Sequence, residues 1–251
     1  MAEELVYKQI KLKNREIKLP PKDDSKICEP DFLGREFFDL KNYACLLISK
    51  KRSGKSTVIY NILEKSVCKK DKIIIICPTI HLDDAYIGIT KMLCDKGIDY
   101  IESSSIFGKD DKGVKFDVLN SILNKYRETK PTFKTWIILD DLPKAQLQGV
   151  SVENMMKTCR HYNINLLISS QNFFDISPAT RSNCDFLIIF KKIPIGKLKS
   201  IHSDLQINIP FDNFIALYHD ITQDDYSFMY IQRYPFEMYR KNFDTLIELN
   251  E

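Results

Sequence analysis

The chain has 251 residues, 44% of them hydrophobic, which suffices for one sizeable α/β domain, alone or with a small appendage. That composition excludes collagen, coiled coil and wholesale disorder, and a net charge of only +3 means that any nucleic-acid contact must come from local patches. No apolar run approaches the ~20 residues a membrane span requires, and residues 1–20 lack the apolar stretch of a secretory signal, so no membrane partner is expected. The seven cysteines (Cys28, Cys45, Cys68, Cys77, Cys94, Cys159, Cys184) are scattered with no C-x-x-C pair. They read as reduced thiols of a cytosol-like compartment, most of them small core residues, and neither they nor the four histidines fall at zinc-ligand spacing.

Residues 1–36, rich in Lys and Pro, read as an N-terminal extension, with DFLGREFF packing it onto a core of residues 37–251. From Tyr43 the pattern changes. YACLLIS is a short apolar strand, followed by a polar turn and a helix through STVIYNILEKSVCKK. KIIIIC predicts a second strand, ended by Pro78. DDAYIGITKMLCDKG predicts a helix, IDYIESS a short strand and FDVLNSILNKYRE a helix. TWIILDD, INLLISSQ and CDFLIIFKK predict three further strands, with a helix at VENMMKTCRHY between the first two. Short apolar strands alternating with amphipathic helices predict an α/β fold with a mainly parallel sheet and helices on both faces. Two short helices follow at IPIGKLKSIHSDL and FDNFIALYHDI, then a strand at YSFMYIQRY, expected at the sheet edge. The pattern of PFEMYRKNFDTLIELNE assigns it to no element.

The turn after YACLLIS reads Ser49-Lys50-Lys51-Arg52-Ser53-Gly54-Lys55-Ser56, close to the phosphate-loop pattern G-x-x-x-x-G-K-[ST], with Ser49 in place of the first glycine. Gly54 lets the backbone approach phosphates, and successive N–H groups at a helix N-terminus form an anion nest. Lys55 is expected to reach the β- and γ-phosphates of ATP and the Ser56 hydroxyl to ligate magnesium. Thr57 is expected to cap the helix or line the α-phosphate side. Ser49 through Thr57 are therefore the candidate nucleotide-binding residues. GKS alone is a weak signal. GKS between a buried strand and a helix is a strong one.

TWIILDD ends an all-apolar strand in Asp140 and Asp141. Ligands of doubly wound sheets gather at strand carboxyl ends. Asp140 is expected to hold magnesium with Ser56, and Asp141 to polarise the attacking water. Gln171, at the tip of INLLISSQ, can hydrogen-bond that water or the γ-phosphate. Taken alone, Arg160 reads as a helix-end cation.

In order, the chain shows GKS, then hydrophobic residues with DD, then Arg160 through Gln171, then Arg181-Ser-Asn183-Cys-Asp-Phe-Leu-Ile-Ile-Phe190. Over residues 40–192 this resembles the FtsK–HerA superfamily of ring-shaped DNA-pumping ATPases, and within it the poxvirus-type genome-packaging ATPases of large DNA viruses and virophages. The resemblance implies a RecA-like core and a homo-oligomeric ring, hexamer or pentamer, with ATP between subunits. It implies double-stranded DNA as partner, capsid or portal proteins alongside, and a place in the host cytoplasm or the virion. Arg160 matches the arginine finger inserted into the neighbouring site, and Gln171 the sensor of phosphate state. Two departures stand out: Ser49 for Gly, and Asp141 where many relatives carry Glu.

Lys191, Lys192, Lys197 and Lys199 form the best basic loop for DNA phosphates, with a solvated surface as the equal alternative. The function these readings favour is an ATP-driven motor packaging a viral genome. A P-loop kinase or nucleotide-gated switch acting on a small substrate is the alternative. No arginine-bearing lid sequence supports it.

Overall fold

The computed structural model describes residues 7–11, 33–234 and 236–249. Cys28 and most of the expected N-terminal extension lie outside the described residues. The main sheet has ten strands, ordered β1-β12-β11-β10-β9-β2-β8-β7-β3-β4. Six of them run parallel: β2 (Ala44–Ile48), β3 (Lys72–Ile76), β4 (Asp99–Ser103), β7 (Thr135–Asp140), β8 (Ile164–Ser170) and β9 (Phe186–Phe190). Antiparallel strands β10 (Phe228–Gln232), β11 (Met238–Lys241), β12 (Thr245–Leu249) and β1 (Tyr7–Lys11) extend it beyond β9. A separate hairpin pairs β5 (Phe107–Lys109) with β6 (Lys115–Asp117).

Alternate residues of each central strand feed two cores. On β2, Ala44, Leu46 and Ile48 join one core while Cys45 and Leu47 join the other. The same division separates Ile137 and Leu139 from Trp136 and Ile138 on β7, and Ile74 and Ile76 from Ile73 and Ile75 on β3. A strand covered on both faces has no position for a polar side chain, so the sequence reads as an unbroken apolar run. Helices α1 (Lys55–Ser66) and α2 (Asp84–Asp95) cover one face. Helices α3 (Val118–Thr129), α5 (Val150–Thr158), α7 (Ile195–Leu205) and α8 (Phe211–Ile221) cover the other. Two short helices, α4 (Lys144–Leu147) and α6 (Pro178–Ser182), lie in connections between these elements. Asp83 caps α2 by accepting from the Ala85 amide at 2.9 Å, and Asp117 caps α3 by accepting from the Asn120 amide at 2.9 Å. No helix among the described residues is long and apolar enough to cross a membrane.

Asp31 and Phe32 of the DFLGREFF segment lie outside the described residues, while its last two residues, Phe37 and Phe38, are buried against Phe243 and Tyr230. Arg240 is buried beside them. Its guanidinium donates to Phe37 O and Asp39 Oδ2, both at 3.2 Å, and lies over the Tyr230 ring. Cys45, Cys77, Cys159 and Cys184 are buried, as small core residues should be.

One strand is placed differently from the expectation. YSFMYIQRY contains β10, which is internal, not an edge. All five of its residues are buried, and the C-terminal hairpin of β11 and β12 covers its outer side. Tyr7–Lys11, inside the segment read as the N-terminal extension, forms the outermost strand against β12.

Candidate nucleotide site

Because β2, β7 and β8 are parallel and in register (Ile48 opposite Ser170, Asp140 opposite Ser169), their carboxyl ends meet at one edge of the sheet. That edge brings the phosphate loop, Asp140, Asp141 and Gln171 together. The loop turns at Arg52 and Gly54, with φ of 60° and 89°. Gly54 has a second reason to lack a side chain: a Cβ there would lie 3.3 Å from Tyr226 Cδ1. Ser49 needs no such freedom. It is fully buried and continues the strand, its amide donating to Ser170 O at 3.1 Å, so serine in place of glycine is accommodated without a left-handed backbone.

Lys55 opens α1, with Gly54 at the N-cap position. Thr57 is therefore not the cap: it lies inside the first turn of α1, and its side chain is exposed. The Lys55 ammonium sits 2.9 Å from Asp140 Oδ1 and 2.6 Å from Asp141 Oδ1. Burial pulls its pKa down, but the two carboxylates more than offset this and hold it above the ordinary lysine value. Asp140 is 2% exposed and also accepts from Tyr86 Oη at 2.8 Å. Burial first, then the Asp140 charge, pushes the Tyr86 phenol well above its usual pKa, so it stays a donor. Asp141 has φ 49°, a backbone that Asp tolerates better than most residues, and this turns its carboxylate toward the loop. Its Oδ2 accepts from Gln171 Nε2 at 3.0 Å.

Asp83 belongs to this constellation, although sequence reasoning missed it. Besides capping α2, its Oδ2 accepts from Ser56 Oγ at 3.1 Å. Its only sequence signal was an Asp before a helix that follows the second strand. Ser56 and Asp140, the candidate metal ligands, offer oxygen donors only. Among the described residues no three His, Cys, Asp or Glu side chains cluster into a metal site. The oxygen donors fit magnesium, which takes one or two protein oxygens and completes its shell with phosphate and water.

Arg160 lies at the opposite end of the sheet. It sits in the 3₁₀ turn Cys159–Tyr162 before β8, and its Nη1 is 3.3 Å from Asp185 Oδ1. Asp185 also accepts from the Ala44 amide at 2.9 Å, and burial raises its pKa against the pull of that bond and of Arg160. The four basic-loop lysines do not stand free together. Lys191 bonds to Gln223 O and Asp225, and Lys197 donates to Asn172 Oδ1 at 2.9 Å, while Lys192 and Lys199 are exposed. Arg181 is buried, donating to the carbonyls of Phe173 and Ile176 at 3.3 and 3.1 Å. A cavity of about 760 Å³ near Tyr100, Tyr126 and Phe133 touches none of these groups.

Residues 33–208 match the profile of the poxvirus A32 protein family. The chain belongs to that family. Protein 088R of Invertebrate iridescent virus 3 is 24% identical over 232 residues, covering 88% of this chain and 78% of that one. Two solved structures share the fold of this A32-family chain. The DNA-packaging ATPase B204 of Sulfolobus turreted icosahedral virus has a TM-score of 0.56 at 18% identity, over 81% of this chain and 98% of its own. The genome-packaging NTPase B204 of Sulfolobus turreted icosahedral virus 2, in complex with AMP, has a TM-score of 0.55 at 16% identity over the same shares.

Proposed function

We propose that this A32-family chain is an ATP-driven motor that moves double-stranded DNA into a viral capsid, working as a homo-oligomeric ring. The chain is an ATPase with the fold of a viral genome-packaging NTPase. The observation that supports the motor chemistry best is the convergence of Lys55 with Asp140, Asp141 and, through Asp141, Gln171.

In this reading an entering triphosphate competes with Asp140 and Asp141 for the Lys55 ammonium. Backbone N–H groups from Arg52 to Ser56 cradle the phosphates at the start of α1. Ser56 and Asp140 hold magnesium, which when bound neutralises phosphate charge. Released from Lys55, Asp141 accepts the proton of the attacking water. Gln171 loses its partner when Asp141 turns to the water, so the tip of β8 registers whether a γ-phosphate is present. Arg160, far from its own site, reaches the neighbouring subunit's phosphates and stabilises charge there. The loops at the sheet edge then pass movement to DNA held through its phosphates, without regard to sequence.

The deciding experiment measures phosphate release by the purified full chain with and without duplex DNA. The motor reading expects magnesium-dependent ATP turnover that rises severalfold with duplexes of any sequence. Turnover indifferent to DNA would remove the motor and leave a nucleotide switch or small-substrate enzyme.

A further inference from the structure

We infer that the cleft beside the phosphate loop, floored by Tyr226, is a nucleobase platform that accepts nucleoside triphosphates by stacking and does not read the base edge. The inference rests on the phosphate-loop reading above and adds the part of the substrate that reading leaves unassigned.

The cleft, of about 160 Å³, is lined by Lys50, Lys51, Arg52 and Ser53 of the loop, Lys191 and Lys192 after β9, and Asp225 and Tyr226 before β10. Its place follows from the strand order. The groups assigned to the terminal phosphate, Asp140, Asp141 and Gln171, end β7 and β8, on one flank of β2. The cleft lies at the end of β9 and the start of β10, on the other flank. A nucleotide with its last phosphate at Lys55 and Asp141 has the rest of its length directed across the loop toward that side.

Tyr226 is held there at a cost. It is 70% exposed, with a left-handed φ of 64°, a combination that persists only where surrounding contacts enforce it. The contacts are visible. Lys191 Nζ binds Gln223 O and lies 3.4 Å from Asp225 Oδ1, Lys241 Nζ lies 2.6 Å from Asp224 Oδ2, and Ser227 Oγ donates to Asp224 O at 2.7 Å. A Cβ at Gly54 would lie 3.3 Å from Tyr226 Cδ1, so the tyrosine runs beside the loop, and it lines the cleft. Lys50, Lys51, Arg52 and Lys192 are exposed around it and favour a polyanion. Asp225, the carboxylate in the lining, lies at the solvent rim, 80% exposed and 3.4 Å from Lys191 Nζ through Oδ1, whereas Tyr226 is the aromatic surface of the lining, and we take stacking on it as the recognition mode. Stacking tolerates any base, since every base has a π-face.

Calorimetric titration of the full chain with Mg-ATP, Mg-GTP and magnesium tripolyphosphate tests this, using wild type, Tyr226→Leu, Tyr226→Trp and Lys55→Ala. Leucine keeps bulk against Gly54 but removes the aromatic face. Tyr226→Leu should weaken ATP and GTP alike by on the order of tenfold and leave tripolyphosphate unchanged. Tyr226→Trp should bind both nucleotides at least as well as wild type. Unchanged ATP affinity in Tyr226→Leu, or an equal loss for tripolyphosphate, overturns the platform while Lys55→Ala still weakens binding at least tenfold. If Lys55→Ala binds every ligand as wild type does, the phosphate-loop reading falls, and the platform with it.

Discussion

Arg160 and Gln171 stand at opposite ends of one strand, β8: Arg160 ion-paired with Asp185 before it, and Gln171 hydrogen-bonded to Asp141 after it. The strand's seven residues separate them by on the order of 20 Å. The two therefore cannot serve the same nucleotide of one subunit. Gln171 faces its own site. Gln171→Ala should bind ATP with near wild-type affinity but release phosphate at least tenfold more slowly, because the amide freed from Asp141 is no longer there to hydrogen-bond the γ-phosphate or the attacking water. Calorimetry for binding and a phosphate-release assay separate the two effects. Equal loss in both would make Gln171 a binding residue instead.

Lys55 carries structural weight besides its proposed chemistry. Removing it leaves Asp140, 2% exposed, with Tyr86 as its hydrogen-bond partner among the described residues. Breaking a buried pair by deleting one member costs about 3 kcal/mol or more. Lys55→Ala should thus lose ATP hydrolysis, bind nucleotide at least tenfold more weakly, and melt several degrees lower. Adding Asp140→Asn to that variant should restore most of the lost melting temperature without restoring activity. If the two losses simply add in urea titrations, the pair is not energetically coupled.

The two carboxylates are placed for different work. Asp140 is enclosed by Lys55 and Tyr86, whereas the Asp141 side chain is 29% exposed and reaches Gln171. Asp140→Asn should lose magnesium-dependent nucleotide binding. Asp141→Asn should retain binding and trap ATP unhydrolysed. Nucleotide recovered from the variants after magnesium loading decides this, and reversed phenotypes would reverse the assignment.

Asp83 offers a cleaner separation of fold from function. Asparagine caps helices as well as aspartate does, so Asp83→Asn should keep the melting temperature, while Asp83→Ala should cost about 1 kcal/mol. Both weaken or remove the anionic acceptor that holds Ser56 Oγ. Both should therefore raise the magnesium concentration for half-maximal turnover, by about tenfold, the low end for outer-shell partners of a metal ligand. Normal magnesium dependence in Asp83→Asn would limit Asp83 to capping.

The parallel core was legible because burial on both faces writes itself as apolar runs such as KIIII and FLIIF. The strand, turn and helix that carry the candidate phosphate loop were legible because glycine, lysine and serine stand at adjacent positions between a buried strand and a helix start. Asp83 was not, since its partner Ser56 is 27 residues away and an Asp before a helix reads first as a cap. The C-terminal strands escaped because β11 and β12 are short and mix charges with apolar residues, as strands near a sheet edge do. The β5–β6 hairpin left one signal: Asp110, whose Oδ1 accepts from the Lys112 and Val114 amides at 3.0 and 2.8 Å, and Gly113 at φ 78°. The aspartate ion-paired with Arg160 lies 25 positions on, at a strand start, and nothing in the local pattern couples them.

That ion pair sets up the test of the trans arginine. The Arg160 side chain is 44% exposed but that of Asp185 only 4%, so its loss should cost between the ~1 kcal/mol of a surface pair and the ~3 kcal/mol of a buried one, and Asp185 keeps the Ala44 amide. Arg160→Ala should be folded and bind ATP, yet hydrolyse it on the order of 10³-fold more slowly if the arginine completes the adjoining site. A structural role would instead lower the melting temperature and spare turnover below it. Mixed assembly discriminates further. A Lys55→Ala subunit has a dead site but an intact arginine; an Arg160→Ala subunit has the reverse. Where the intact site of one meets the intact arginine of the other, a competent interface forms, and activity should reappear above the sum of the separate proteins. Rings of wild type diluted with Lys55→Ala provide the control for coordination between sites. If activity falls there only in proportion to dilution, sites act independently, and a failure of the mixed rings to recover then refutes the trans assignment.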